Sequence, residues 1–237
     1  MANRPSLPVR RRLFHALLLL FGILVLAAAV IAGLAIGRAM LRPGEVIGVL
    51  NHAVTGNGHI ALTSKTIVMN VRLPRVVAAA AIGAALAVSG TAYQGLFRNP
   101  MVSPDILGAS TGASFGAALA LLVSASRPGV QAAAFVGGVV AVLLTYASAR
   151  SIGRGTNQVL LLVLCGMIVS ALFQAFVSAV KYTADPDSKL PEITYWLMGS
   201  IAKATWSDLA LYAVPFVVGL IPIIALRWRL NTLAFGE

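Results

Sequence analysis

Charge is scarce in this sequence, and acidic charge scarcest of all. Only 11% of the 237 residues are charged, with 7 Asp and Glu against 18 Lys and Arg. A soluble domain carries about a quarter charged residues, and one this apolar could not hide its surface from water. The one cysteine, Cys165, lies inside an apolar run, which excludes a disulfide framework and a cysteine-built zinc site. No histidine follows His59, and His52 and His59 lack a carboxylate or thiol partner at ligand spacing, so they read as solvated loop residues. The few acids fall in loops or at the end of the chain, which argues against a relay of buried carboxylates. No metal or cofactor site is expected.

Apolar sequence is what the chain has in abundance: 59% hydrophobic residues and a mean hydropathy of +0.89. The formal net charge of +11 would suggest nucleic acid in a soluble protein. Here the basic residues cluster between apolar runs, as they do in loops beside a bilayer, so no nucleic-acid partner is expected. Six runs read as membrane spans, at 13–36, 76–97, 103–124, 130–149, 158–180 and 209–228. The first follows Arg10-Arg11-Arg12 and is long for a signal-peptide core, so it is expected to be an uncleaved helix. The fold class is therefore an all-α, polytopic transmembrane bundle, one domain over 1–237.

The connections carry their own signals. Residues 38–75 form a polar stretch with short ordered pieces expected at 47–50 and 67–71. Asn99-Pro100 stops the second span, and Ser103-Pro104-Asp105 marks the start of the third, with proline and an acid at the helix's positive end. Residues 181–208 read as an external amphipathic segment, with Pro191-Glu192 opening a short helix and Tyr195, Trp196 and Trp206 at the interface. Pro215 and Pro222 predict a kink in the last span. With six spans both termini share a side. Basic residues divide nine and nine between the sides, so their number does not orient the chain; the triple arginine favours a cytoplasmic amino terminus.

The stretch from Arg72 to Gly116 stands out. Small residues recur every fourth position: Ala79, Gly83, Ala87, Thr91 and Gly95, then Gly108, Gly112, Gly116, Ala120 and Ser124. Such stripes let helix backbones approach in lipid. They predict a tightly packed hairpin of the second and third spans, with Gly83, Gly95, Gly108, Gly112 and Gly116 as packing residues. A similar stripe, Ala133, Gly137, Ala141, Thr145 and Ala149, marks the fourth span. In the fifth, Gly166, Ser170, Gln174 and Ser178 place polar groups along one face. That face suits a watery path and interhelical hydrogen bonding alike.

Motifs of catalysis are missing. Gly108-Ala109-Ser110-Thr111-Gly112 matches GxSxG, but that elbow needs a strand-to-helix turn and a later histidine. There is no Walker loop and no HExxH. A transport role would draw its energy from a partner or a gradient.

The run RLPR followed by GAALAVSGTAYQGLFRNPMVSPDILGASTGASFG resembles the signature of FecCD-type permeases, and NQVLLLVLCG, LPEITYWLMGSI and RLNTLAFGE resemble further landmarks of that family. These are membrane subunits of binding-protein-dependent ABC importers for ferric siderophores, haem and vitamin B12. The resemblance implies a ten-helix fold of which about six helices are present, a chain cut before the coupling helices, and a non-enzymatic transport subunit. It implies partners: an ATP-binding subunit dimer, a substrate-binding protein, and a second permease copy or paralogue. It places the amino terminus in the cytoplasm of a cell whose inner membrane the protein spans. Arg72 and Arg75 then match arginines that receive acidic residues of the binding protein, a role that suits guanidinium. Thr156 and Asn157 fall where relatives narrow a cytoplasmic gate. Ser170, Gln174 and Ser178 lie on a helix that lines the translocation path. Ferric siderophore is the expected cargo, with haem or vitamin B12 as alternatives. An intramembrane enzyme and a gradient-driven carrier are rival readings, disfavoured by the missing histidines and buried carboxylates and by the lack of an intramembrane ion site.

Overall fold

The computed structural model describes residues 9–37, 39–57, 60–153 and 158–235. All regular structure among them is helical: α1 (Val9–Ala35), α2 (Pro43–Thr55), α3 (Leu62–Thr66), a π-helical turn (Ile67–Arg72), α4 (Leu73–Phe97), α5 (Ala109–Leu122), α6 (Arg127–Ile152), α7 (Gln158–Thr183), α8 (Lys189–Met198), α9 (Trp206–Ala225) and α10 (Arg227–Phe235). The sequence reads as one domain; contacts divide the chain into two compact units, the first running to Ala80 and taking in Lys203–Trp206, the second Ala81–Ala202 with the chain from Ser207 onward.

The first unit packs the end of α1 against α2 and the π turn. Leu34, Ala35, Val46, Val49 and Val68 are buried together. The polar connection expected at 38–75 is thus largely helix, and the second span starts early: Leu62–Phe97 is one apolar helical run of 36 residues. Its π turn has a local cause. Pro74 has no N–H to donate, and in a regular helix its ring would meet the carbonyl four residues back. Widening the turn removes the conflict, and the Leu73 N–H bonds to Val68 O, five residues back.

The second unit is built on α5, α6 and α7. Ala117, Ala118, Ala120 and Leu121 of α5 join Val130, Val180 and Ile193 in a buried cluster, so α8 closes one end of this group. Phe115, Phe173 and Phe176 form a ring-on-ring group beside it, with centroids 5.4–6.0 Å apart. The loop into α8 is ordered by Asp185, whose Oδ1 accepts from Asp187 N at 3.0 Å, Ser188 N at 2.8 Å and Ser188 Oγ at 2.9 Å. Those donors, the Ser188 hydroxyl first, hold the Asp185 carboxyl below the usual range.

Six long spans were expected; among the described residues, five helices are long and apolar enough to cross a membrane. The third expected span is the exception. Its helix does not begin at Ser103-Pro104-Asp105 but at Ala109, and its 14 residues reach only about 21 Å. Residues 104–108 are turns instead. Asp105 still serves the helix's positive end, accepting from Ser110 N at 2.9 Å from outside the helix. At the other end α5 closes with Ser124 in the left-handed region, φ 57°. The bonds Ser124 N to Leu121 O and Ala125 N to Ala120 O make this a Schellman ending. α4 ends the same way around Arg98, φ 50°. α9 runs through Pro215 and Pro222 as one assigned helix.

Candidate functional site

The RLPR segment straddles the end of the π turn, and its two arginines part company there. Arg72 is 7% exposed. Its Nη1 donates to Leu34 O at 2.6 Å and Ala35 O at 2.7 Å, and its Nη2 donates to Ala39 O. Leu34 and Ala35 end α1, where carbonyls lack helical partners and the helix end is negative. A guanidinium is therefore the C-terminal cap of α1. Arg72, expected to receive acidic residues of another protein, has both of its Nη atoms bonded to carbonyls within the chain. Arg75, one helical turn on, is half-buried, and its Nε is sealed from solvent without a hydrogen-bond partner. The π turn is held from a second side as well. Trp206 Nε1 donates to Met69 O at 2.9 Å, satisfying a carbonyl of the widened turn. Neither contact was visible in the sequence, though a proline two residues after Arg72 inside an apolar helix was a signal for the turn itself.

The second cluster surrounds the turn before α5. Thr145 of α6 is fully buried and its Oγ1 donates to Leu107 O at 3.0 Å. Gly108 has φ 81°, and a Cβ there would stand 2.9 Å from Ser170 Oγ of α7. Gly166, one turn earlier, lies so close to the Ile106 carbonyl that no Cβ could enter. The polar stripe of α7 therefore serves two surroundings. Gly166 and Ser170 face the 106–108 turn, whereas Gln174 and Ser178 are exposed, with Ser178 Oγ donating to Gln174 O at 3.0 Å.

The packing glycines also divide. A Cβ at Gly112 would strike the Gly137 carbonyl and one at Gly116 the Ala133 carbonyl, so the close pair of helices is α5 and α6. The expected hairpin of the second and third spans is corrected accordingly. Gly83 has open space where its Cβ would be, and α4 instead touches the following turn, where Gly90 lies 3.7 Å from Pro104. Gly95 is half-buried near the end of α4. Around that end a hollow of about 600 Å³ is lined by Thr91, Gln94 and the 100–104 turn. Gln94 Nε2 donates to Pro100 O at 3.1 Å, and Asn99 Oδ1 accepts from Met101 N at 2.9 Å, which fix the turn's path. Thr156 and Asn157, expected at a gate, lie outside the described residues.

The chain is similar to known proteins over most of its length. The family model described as the FecCD transport family matches residues 23–237. A molybdate import system permease of Haemophilus influenzae is 36% identical over 220 residues, 92% of this chain and 64% of the relative. A probable iron chelatin transport permease of Helicobacter pylori is 39% identical over 171 residues, 72% of this chain and 51% of the relative. Among solved structures, an inward-facing conformation of a metal-chelate type ABC transporter aligns with a TM-score of 0.74 at 36% identity, covering 91% of this chain and 64% of that one. The chain thus spans about half to two thirds of the length of the relatives it matches.

Proposed function

Because the chain belongs to the FecCD transport family, we propose that it is a membrane-spanning permease subunit of a binding-protein-dependent ABC importer. It passes an iron chelate, a ferric siderophore first among these, into the cytoplasm by alternating access. The likeness to a solved metal-chelate ABC transporter over nearly the whole chain carries the reading. The chain has no nucleotide-binding loop, so ATP hydrolysis belongs to a separate ATPase dimer. The permease works beside a second copy or a paralogue, in the cytoplasmic membrane, with its amino terminus inside.

The RLPR end faces outward and meets acidic residues of the substrate-binding protein. What supports this is the match of RLPR to the family signature and Arg75 itself, a half-buried guanidinium in the first turn of α4, a group suited to pairing carboxylates. Gln174 and Ser178 border the path: polar groups exposed on an apolar helix are costly against lipid and cheap against water. Ser170, seated against Gly108, reaches the path only at its edge. Thr156 and Asn157 stand at the cytoplasmic gate.

The test is reconstitution of the complete permease with its ATPase in liposomes, with loaded binding protein added outside. Uptake of a ferric siderophore and a rise in ATP hydrolysis are expected. Hydrolysis indifferent to the binding protein sinks the importer reading. Competition by molybdate, haem or cobalamin in place of the siderophore corrects the cargo alone, and the molybdate relative makes that arm worth running.

A further inference from the structure

The two arginines of RLPR are both charged and three residues apart, yet they stand differently: Arg72 is bonded to three carbonyls and Arg75 is half-buried. We propose that Arg72 is a positioning residue: it staples the chain leaving α1 onto the π turn and so fixes where Arg75 stands for an acidic partner. The inference rests on the docking reading given above for Arg75, and adds to it a second residue that acts without touching the partner.

Three features make the staple a built one. Its guanidinium spans three carbonyls, those of Leu34 and Ala35 at the end of α1 and that of Ala39 beyond it. A planar fork offers donors from two nitrogens at a fixed spacing, which the single nitrogen of an ammonium does not. The path is shaped around the fork, since a Cβ at Gly37 would stand 2.8 Å from Arg72 Nη2 and 3.1 Å from its Cζ. The π turn supplies the aim. An added residue in a helical turn rotates everything after it by about 100° relative to regular α-helix. Without the widening, Arg72 and Arg75 would both leave their present faces. Trp206 Nε1 on Met69 O holds that widened turn against relaxing to α. Val68 (fully buried) and Pro74 pack the same corner, so a shift of Arg72 is passed to the first turn of α4, where Arg75 sits.

Gly37→Ala separates this role from direct docking, because it displaces the fork while keeping both charges. The full-length permease in nanodiscs is compared as wild type, Gly37→Ala, Arg72→Gln, Arg72→Lys, Arg75→Gln and the Gly37→Ala/Arg72→Gln pair. Two measurements are made: amide hydrogen exchange at Ile36 and Leu41, whose N–H groups bond to Ala32 O and Ala35 O, and capture of the purified substrate-binding protein. Arg72→Gln, Arg72→Lys and Gly37→Ala should each raise exchange about tenfold or more. Each should weaken capture about tenfold, and the pair should do no worse than either single change. Arg75→Gln should weaken capture and leave exchange unchanged. If Arg72→Gln weakens capture while Gly37→Ala does not, Arg72 is itself a docking residue and the proposal fails. Raised exchange with capture intact also overturns it, since the staple then has no bearing on Arg75. Capture indifferent to Arg75→Gln defeats the docking reading instead, and exchange in the Arg72 variants still reports the staple by itself.

Discussion

The hydroxyl of Thr145 donates to the carbonyl of Leu107 across 38 residues of chain, at 3.0 Å and out of reach of water. It joins α6 to the irregular turn that replaces the first part of an expected span. In an apolar bundle a turn carbonyl without a donor is expensive, and Thr145 removes that cost. Thr145→Val keeps the shape and removes the donor. It should lower stability by about 1–2 kcal/mol, read by thermal unfolding in detergent. A valine variant as stable as wild type would show that Leu107 O finds another donor.

Gly116→Ala should be worse than its size suggests. The new methyl meets the backbone carbonyl of Ala133, which cannot swing aside as a side chain could, so α5 and α6 must separate. A loss of about 1–3 kcal/mol is expected. Gly83→Ala is the control, because open space surrounds it and alanine favours helix by up to about 1 kcal/mol. Equal losses at the two positions would contradict the pairing of α5 with α6.

Ser124→Gly should stabilise. Ser124 occupies the left-handed position of a Schellman ending, where a Cβ costs about 1–2 kcal/mol and glycine costs nothing of that kind. A gain of about 1 kcal/mol in equilibrium unfolding is expected. Destabilisation by glycine would mean that the serine side chain does more there than the backbone geometry implies.

The turn into α8 should loosen in acid. The Asp185 carboxyl is held below the usual value by Ser188, so the unfolded loop takes up a proton at a higher pH than the folded one. The carboxylate's contribution is complete above the ordinary aspartate pKa of about 3.9 and is lost as pH falls through the lower folded value. Exchange protection of the Ser188 amide should therefore hold down to about pH 4 and drop only below it. Asp185→Asn should flatten that dependence. Protection that is flat in the wild-type protein would remove the carboxylate from the account.

How much of this was written in the sequence differs from element to element. Hydropathy alone placed α1, α6, α7 and α9, because twenty or so apolar residues have few alternatives to a helix where no water is present to satisfy the backbone. The stripe Gly112, Gly116 and the stripe Ala133, Gly137, Ala141 were both legible as small faces. Their partnership was not, since a stripe says only that something comes close and not which helix it is. Ser103-Pro104-Asp105 promised a helix start, and the helix begins six residues after Ser103, because Thr145 donates to a turn there and Gly166 leaves room for it, which no local rule foretells.

The candidate site shows the same division. RLPR marked the right corner, and the identity of the residues told that guanidinium chemistry belonged there. Which arginine turns inward was decided by Pro74, the widened turn it requires and the carbonyls that α1 leaves unbonded, and those meet only in space. Composition and period determined that this chain is a bundle of membrane helices, since the bilayer enforces a one-dimensional rule on each span. Close approach, capping and the aim of single side chains depend on neighbours 33 to 38 residues away or more, and these the tertiary structure decided.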